Sequence, residues 1–298
     1  MYAIARTELQ TLRDLIRFGV SRFCAARLTF GHGSDNAFDE AVYLALHGLH
    51  LPPDTLEPFL DARLLPTERD RVLDLFERRV TTRAPAAYLT NEAWLSGRRF
   101  YVDERVIVPR SPISELLDNG LTPWVEEADA VARVLDMCTG SGCLAILAAL
   151  AFPHAQVDAV DVSPDALAVA RRNVDDYGLA ERLALHESFL FNALPAAQYD
   201  VIVCNPPYVN SQSMDALPAE FKCEPDLALA GGEDGMDLVR QILRDAPDYL
   251  QEGGMLVLEI GHERAHFEAA FPHLTPIWLQ TETASDQILM LTREQLQT

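Results

Sequence analysis

The sequence RVLDM-CTGSG-CLAILAALA, residues 133–151, reads as a strand, a glycine-containing loop and an apolar helix. Glycines let such a loop turn tightly and bring its backbone close to a ligand. Asp161 follows Gly140 by 21 residues, at the predicted end of the next strand. A carboxylate at that position can accept hydrogen bonds from both hydroxyls of a ribose. The loop and the acid together indicate an α/β domain that binds a nucleoside.

Predicted strands and helices alternate on both sides of this loop. The predicted strands are 133–137, 157–162, 183–186, 199–204, 255–260 and 288–291. The predicted helices are 143–151, 164–177 with Ser163 as its cap, 237–250, and one that starts at Ile113. Strands separated by helices favour parallel pairing with right-handed crossovers. We therefore predict a doubly wound, Rossmann-like α/β domain over residues 111–298, with ligands bound beyond the carboxyl ends of the strands.

Two shorter regions precede this domain. Residues 1–86 carry apolar residues at helical spacing in three stretches, the second with Ser34 or Asp35 as its expected cap. They predict a small helical domain, which we interpret as a domain for substrate recognition or for packing, because no polar cluster in it suggests chemistry. Residues 87–110 contain strand-forming residues from Tyr88 to Ile107 around a Ser96-Gly97 turn, which predicts a β-hairpin linker.

The composition is that of a globular protein, with 298 residues, 49% hydrophobic and 23% charged. No apolar run approaches the ~20 residues that a membrane helix needs. The N-terminal MYAIARTELQ has no apolar signal core. The five cysteines are scattered and form no Cys-x-x-Cys pair, which argues against a disulfide framework or a structural zinc site. We expect a cytoplasmic protein without a bound metal.

The net charge of −21 is distributed unevenly along the chain. Residues 1–86 hold 11 basic and 12 acidic side chains of the 24 and 45 in the chain, which leaves 13 and 33, a net −20, for residues 87–298. So acidic a surface repels phosphate backbones and attracts cationic proteins. Solubility alone would explain the charge equally well.

The glycine loop does not by itself select the cofactor. Gly140-x-Gly142-x-x-Ala145 satisfies the dinucleotide fingerprint. From the loop alone, NAD and S-adenosylmethionine stay open, and so does a glycine turn without any ligand.

The tetrapeptide Asn205-Pro206-Pro207-Tyr208 directly follows the buried strand 199–204. The two prolines fix φ and remove two donors, so that the carbonyls of Asn205 and Pro206 are held rigidly. With the Asn205 side chain they can accept both N–H bonds of a planar –NH₂ group, and Tyr208 can stack on its face. An amide nitrogen is a poor nucleophile because its lone pair is delocalised. These acceptors would raise its electron density and aim it at a methyl carbon. The alternative is a proline-stiffened turn.

Asn-Pro-Pro-Tyr after the fourth strand resembles the amino-methyltransferases that use S-adenosylmethionine. The helical N-terminal domain, the hairpin and YVDERVIVPRSPI at residues 101–113 are similar to their protein-(glutamine-N5) methyltransferase branch. RSP at 110–112 and DMCTGSGC at 136–143 resemble the members that act on large-subunit ribosomal protein three, uL3. Release-factor members have Arg-Pro at the first site and glycine in place of Cys138. The resemblance spans nearly the whole chain from about Leu28.

The resemblance implies a role for each candidate residue. The loop Cys138, Thr139, Gly140, Ser141 and Gly142 would wrap the methionine part of S-adenosyl-L-methionine, which leaves as S-adenosyl-L-homocysteine. Asp161 would bind the ribose. Phe189 would flank the adenine, unless it is a plain core aromatic. The catalytic residues would be Asn205, Pro206 and Tyr208, which with Pro207 bind the glutamine amide. Arg110 would bind substrate or close over the cofactor, and a salt bridge that anchors the hairpin is an equal alternative.

The implied partner is ribosomal protein uL3, a cationic protein that the acidic domain would attract. Three alternatives stay open: a release-factor glutamine methyltransferase, an N6-adenine methyltransferase of RNA or DNA, and a binding protein that keeps the fold without turnover. The charge argues against a nucleic-acid substrate.

Two other patterns suggest competing chemistry. His262-Glu263-Arg264-Ala265-His266 satisfies the zinc-protease motif His-Glu-x-x-His. We interpret it as a solvated helix start, since it follows a predicted parallel strand and has no persuasive third ligand. Cys138 and Cys143 lie beside a helix N-terminus, where thiol pKa values can fall. We interpret both as packing residues, because the sequence places no histidine near them. Asp200 could be proposed as a base, but we expect it at the opposite end of its strand from Asn205.

Overall fold

The structure, a computed structural model, describes residues 1–297 and divides the chain into two compact units. We call Met1–Ala93 together with Pro218–Cys223 the helical unit. Trp94–Leu217 and the chain from Glu224 onward form the sheet unit. The helical unit thus extends past residue 86 and includes a segment from the middle of the C-terminal part.

The helical unit is built from five helices around one apolar core. They are α1 (Tyr2–Glu8), α2 (Leu12–Ala26), α3 (Ala37–Gly48), α4 (Pro66–Thr82) and α5 (Ala86–Thr90). Asn36 caps α3 by accepting from the amides of Phe38 and Asp39, so the expectation of Ser34 or Asp35 was wrong by one or two residues. A Cβ on Gly19 would lie 2.7 Å from the ring of Phe76, so glycine here lets α2 and α4 approach closely.

A buried ion-pair network joins Pro218–Cys223 to the helices of this unit. The Arg79 guanidinium is fully buried and donates to the Glu40 carboxylate at 2.7 Å. Glu220, also fully buried, lies 2.7 Å from Arg83 and 3.9 Å from Arg79. It accepts from the backbone amide of Thr29 at 3.1 Å. Buried charges are tolerated where they are paired and hydrogen-bonded in this way.

The expected hairpin is present but shorter than predicted. β1 (Ala93–Leu95) and β2 (Arg98–Phe100) form a two-stranded sheet around Ser96-Gly97, which both have positive φ. Tyr88 lies instead in helix α5, and residues 106–107 form no strand. Strand propensity at these positions is overridden by tertiary context.

The sheet unit contains seven strands in the order β5-β4-β3-β6-β7-β9-β8. They are β3 (Arg133–Met137), β4 (Gln156–Asp161), β5 (Leu183–Glu187), β6 (Tyr199–Cys204), β7 (Leu250–Glu259), β8 (Ile277–Leu279) and β9 (Ile288–Thr292). Strands β3 to β7 pair in parallel, as predicted. β9 pairs antiparallel with both β7 and β8, which makes the sheet mixed and differs from an all-parallel expectation.

Helices cover both faces of this sheet. They are α6 (Ile113–Asp118), α7 (Cys143–Ala151), α8 (Pro164–Asp176), α9 (Ser211–Ala216), α10 (Asp237–Tyr249), α11 (Arg264–Ala270) and α12 (Arg293–Leu296). Alternate residues of a strand enter different cores: Val203 joins the cluster of α7, and Ile202 joins that of α10. The predicted doubly wound, Rossmann-like α/β fold is confirmed. Within residues 1–297, no helix is both long and apolar enough for a membrane span.

Candidate active site

A cavity of about 610 Å³ lies beyond the carboxyl ends of β3, β4, β5 and β6. Most of the predicted site residues line it: Arg110, Cys138, Thr139, Gly140, Ser141, Asp161, Phe189, Asn205 and Pro207. Three others, Gly142, Pro206 and Tyr208, are adjacent in sequence to lining residues but do not themselves line it. The strand ends of the parallel sheet thus bring together residues that are up to 97 positions apart, from Arg110 to Pro207.

The glycine loop is shaped by three residues with positive φ, which are Cys138 (+61°), Gly140 (+54°) and Gly142 (+79°). Thr139 holds the loop down by donating its backbone amide to the Val160 carbonyl at 2.8 Å. A Cβ on Gly140 would meet nothing within 4 Å, so its backbone conformation rather than crowding favours glycine there.

Asp161 is tied to the loop by two backbone hydrogen bonds. Its Oδ2 accepts from Gly140 at 2.9 Å and its Oδ1 accepts from Ser163 at 2.9 Å. Burial raises the pKa of Asp161, and these amides oppose the rise. The carboxylate therefore fixes the loop and borders the same cavity.

Asp136 lies directly beneath the loop and is fully buried. Its Oδ2 accepts from the Thr139 hydroxyl and from the Ala145 amide at the start of α7. Its Oδ1 has no hydrogen-bond partner among the described residues. Burial raises the pKa of this carboxyl to about 7.

Asn173 was not singled out from the sequence, yet it supports the loop from α8. Its carboxamide donates to the Ser141 carbonyl at 2.8 Å and exchanges two hydrogen bonds with the backbone of Tyr101, at 2.7 and 3.0 Å. It links the glycine loop to the segment after the hairpin.

Arg110 forms the salt bridge that the sequence left as an alternative. Its guanidinium makes a bidentate pair with Glu224, at 2.6 and 2.8 Å, and the same side chain lines the cavity. Glu224 is buried and also accepts from the Val108 amide at 2.9 Å. Glu224 was not singled out from the sequence.

The tetrapeptide leaves β6 at Cys204, and its tyrosine is tied to the end of β7. The Tyr208 hydroxyl donates to Glu259 Oε1 at 3.0 Å. The next residue, Val209, exchanges backbone hydrogen bonds with Leu229 and Gly231, both at 2.9 Å. Burial and the neighbouring Glu259 raise the pKa of Tyr208 well above its usual value, so the phenol stays protonated.

The competing candidates lie elsewhere or lack the required groups. Asp200 accepts from the amides of Ala132 and Arg133 at the amino end of its strand, far along β6 from Asn205, as expected. His262 precedes α11 rather than sharing its face, and His266 Nδ1 contacts Glu263. No group of three potential metal ligands occurs in the described part of the chain. Burial raises the pKa of the Cys143 thiol to about 12, which fits a packing role.

Comparisons with known proteins agree with this fold. Residues 114–222 match the family described as "Methyltransferase small domain". Among solved structures, the hMettl16 catalytic domain in complex with MAT2A 3'UTR hairpin 6 has a TM-score of 0.50 and 16% identity, over 76% of this chain and 80% of that one. At that identity the likeness shows the fold alone. This family match, together with relatives at least 51% identical over nearly the whole chain, makes the protein an enzyme of the methyltransferase class.

Three relatives, each matched over at least 92% of its own length, place the protein in one family of methyltransferases. The ribosomal protein uL3 glutamine methyltransferase of Bordetella pertussis is 74% identical over 98% of both chains. Proteins of the same name from Neisseria gonorrhoeae and Bradyrhizobium diazoefficiens are 55% and 51% identical, covering 99% and 97% of this chain and 99% and 92% of theirs. This chain belongs to the ribosomal protein uL3 glutamine methyltransferase family, which confirms the resemblance drawn from the sequence.

Proposed function

We propose that the enzyme transfers a methyl group from S-adenosyl-L-methionine to the side-chain amide nitrogen of a glutamine in ribosomal protein uL3. The observation that carries this proposal is that Asn205, at the start of the tetrapeptide, borders the same cavity as the glycine loop and Asp161. A methyl acceptor held at Asn205 and a nucleoside held at Asp161 would share one cavity. The names of the full-length relatives support the same substrate.

The cavity residues fit the proposed cofactor. A volume of about 610 Å³ suits a ligand of nucleoside-plus-amino-acid size. The Asp161 carboxylate is available to ribose hydroxyls, and Phe189, 43% exposed, presents an aromatic surface for a base. When bound, S-adenosyl-L-methionine supplies an activated methyl group on a sulfonium.

The tetrapeptide would bind and orient the amide nitrogen that accepts the methyl group. The Asn205 side chain and the Asn205 and Pro206 carbonyls would accept the two amide N–H bonds and orient the nitrogen towards the methyl carbon. The amide nitrogen held there would accept the methyl group and release one proton to solvent, and the sulfonium would leave as a neutral thioether that keeps the electron pair of the broken C–S bond. The gain comes from positioning and electrostatics, without a strong base.

Charge and domain organisation support a cationic protein substrate. Residues 87–298 carry a net −20, which would speed encounter with a basic ribosomal protein at low salt and disfavour nucleic acid. In this proposal the helical unit recognises the substrate, and the reaction takes place in the cytoplasm.

The test is methyl transfer to separate candidate substrates. Purified enzyme and S-adenosyl-L-methionine are incubated with unmodified uL3, with a release factor and with ribosomal RNA, and mass spectrometry locates any added methyl. We expect one methylated glutamine in uL3 only. A methyl on the release factor or on adenine would overturn the substrate assignment.

Asn205→Ala sharpens the test. It should lower kcat on uL3 by at least about 100-fold, the scale of losing a positioned donor or acceptor in a transition state. Asn119→Ala, at an exposed residue in the same unit, is the matched control and should keep full activity. Full activity of Asn205→Ala would refute the proposed role of the tetrapeptide.

A further inference from the structure

Tyr208 is held by a set of contacts that the proposed reaction does not by itself explain. Its hydroxyl donates to Glu259, the last residue of β7, which is 4% exposed. The other oxygen of the same carboxylate accepts from the Ser111 hydroxyl. One buried carboxylate thus joins the tyrosine of the tetrapeptide to the segment that precedes α6.

Three glycines lie against Tyr208 at places where a side chain would clash with it. A Cβ on Gly261 would lie 2.5 Å from Cε2 of the Tyr208 ring, one on Gly231 would lie 2.6 Å from its Cα, and one on Gly235 would lie 2.2 Å from its carbonyl oxygen. Backbone therefore packs against the ring, the Cα and the carbonyl of this residue at distances that no side chain would permit.

We propose that Glu259 is a positioning residue, which fixes the ring of Tyr208 for the acceptor amide by accepting hydrogen bonds from Tyr208 and Ser111 at once. Gly261, two residues later, gives the ring its space. The inference rests on the proposed function, since it assigns the ring to the methyl acceptor. Glu259 itself touches neither acceptor nor cofactor in this proposal and acts through Tyr208.

The ionised carboxylate suits this task best. Burial raises the pKa of Glu259 to about 7, while the two hydroxyl donors and the charge of Arg110 oppose the rise. The other ionisable groups coupled to this pair are Glu224, which acts on Tyr208, and the buried Cys204 thiol. A carboxylate accepts from both hydroxyls, whereas a carboxylic acid must turn one oxygen into a donor.

The first test compares variants in methyl transfer to uL3 at pH 8. Glu259→Gln keeps the shape but offers one acceptor oxygen instead of two, and should lower kcat about tenfold. The KM for S-adenosyl-L-methionine and the dissociation constant of S-adenosyl-L-homocysteine should stay within about twofold of wild type. Glu252→Gln, at an exposed residue of the same strand, is the control and should match wild type.

A double-mutant cycle shows whether Glu259 acts through the tyrosine. Tyr208→Phe removes the shared hydroxyl, so adding Glu259→Gln to it should cost less than about threefold more. Multiplicative losses would mean that the two residues act independently and would overturn the proposal. So would a Glu259→Gln enzyme with wild-type kcat. In wild type, kcat should fall as the pH drops below about 7, and Glu259→Gln should make this decline smaller, with the part that Asp136 contributes remaining.

Crystal structures of wild type and Glu259→Gln give a readout that needs no turnover. The Tyr208 ring should shift or become disordered in the variant while the glycine loop stays in place. An unmoved ring would refute the proposal even if uL3 were not the substrate. Conversely, a displaced ring in an enzyme that does not methylate uL3 would overturn only the proposed function.

Discussion

In the helical unit the buried acids Glu40 and Glu220 face the guanidinium groups of Arg79 and Arg83. In the sheet unit, Asp136 and Glu259 accept hydrogen bonds only from hydroxyls and, for Asp136, one backbone amide. In the helical unit these ion pairs hold the segment Pro218–Cys223 in place. Acids without a bonded cation support the glycine loop and Tyr208, where burial raises their pKa values to about 7. Burying Asp136 and Glu259 without bonded cations lowers the stability of the sheet unit next to its candidate site, as is common at functional sites.

Arg79→Ala should have the largest effect, because it leaves the buried Glu40 carboxylate without its cation, while Glu220 keeps Arg83. Removing one partner of a buried ion pair costs about 3–5 kcal/mol. Urea unfolding followed by circular dichroism measures the loss. The neighbouring exposed Arg78→Ala is the control and should change stability by less than about 0.5 kcal/mol. A loss below about 1 kcal/mol for Arg79→Ala would mean that ion pairing matters no more for the buried acids of the helical unit than for those of the sheet unit.

Asp136→Asn should flatten the pH dependence of stability. The folded pKa of about 7 lies above the unfolded value of about 3.9, so folding favours the protonated form. The stability that Asp136 contributes is complete below pH ~4 and is lost as the pH rises through about 7.

Between pH 5 and pH 8, Asp136→Asn should therefore lose about 2–3 kcal/mol less stability than wild type. Part of the slope should remain, because burial also raises the pKa values of Glu40, Asp161 and Glu259. Denaturant unfolding at both pH values measures it, with the exposed Asp165→Asn as a control that keeps the wild-type slope. An unchanged slope in Asp136→Asn would mean that this carboxyl is ionised throughout.

Arg83→Ala tests the outer part of the ion-pair network. Its side chain is 32% exposed and pairs with Glu220, while Arg79 remains beside the acid. The loss should be about 1–2 kcal/mol, smaller than for Arg79→Ala, since hydrogen bonds to charged groups contribute about this much. Equal losses for the two variants would show that the partly exposed Arg83 contributes as much to the network as the buried Arg79, contrary to this expectation.

The smallest effect is expected from Arg110→Lys. Lysine cannot reproduce the bidentate pair with Glu224. We expect S-adenosyl-L-homocysteine to bind about threefold more weakly in calorimetric titration, with folding stability changed by less than about 1 kcal/mol. Arg171→Lys, exposed on α8, controls for the substitution itself. Unchanged affinity would limit Arg110 to anchoring its own segment.

The sequence predicted those features that a local pattern determines. The spacing of the apolar residues, the glycines between elements and the Ser163 cap located β3, α7, β6 and α8 to within about two residues. The start of β7 was placed five residues late, at Met255, because Gly253 and Gly254 read as a break. β8 was missed, since three residues carry too little pattern.

Partners that are distant in sequence could not be predicted. Glu259 pairs with Ser111 across 148 residues and Arg110 pairs with Glu224 across 114. Nothing in the residues around an isolated Glu or Ser specifies which distant side chain it will meet. The position of the candidate cavity could be predicted because parallel strands end at one edge of the sheet. The buried acids Glu224 and Glu259, which hold residues near it, could not be predicted.

The segment Pro218–Cys223 has a consequence for how this protein can be divided. The chain passes between the two units three times, at residues 93–94, 217–218 and 223–224. A gene truncated to begin at residue 94 would still encode Glu220, but none of the arginines that neutralise it. The two units are therefore not interchangeable modules joined end to end, and a swap of the helical unit between relatives has to carry this hexapeptide with it.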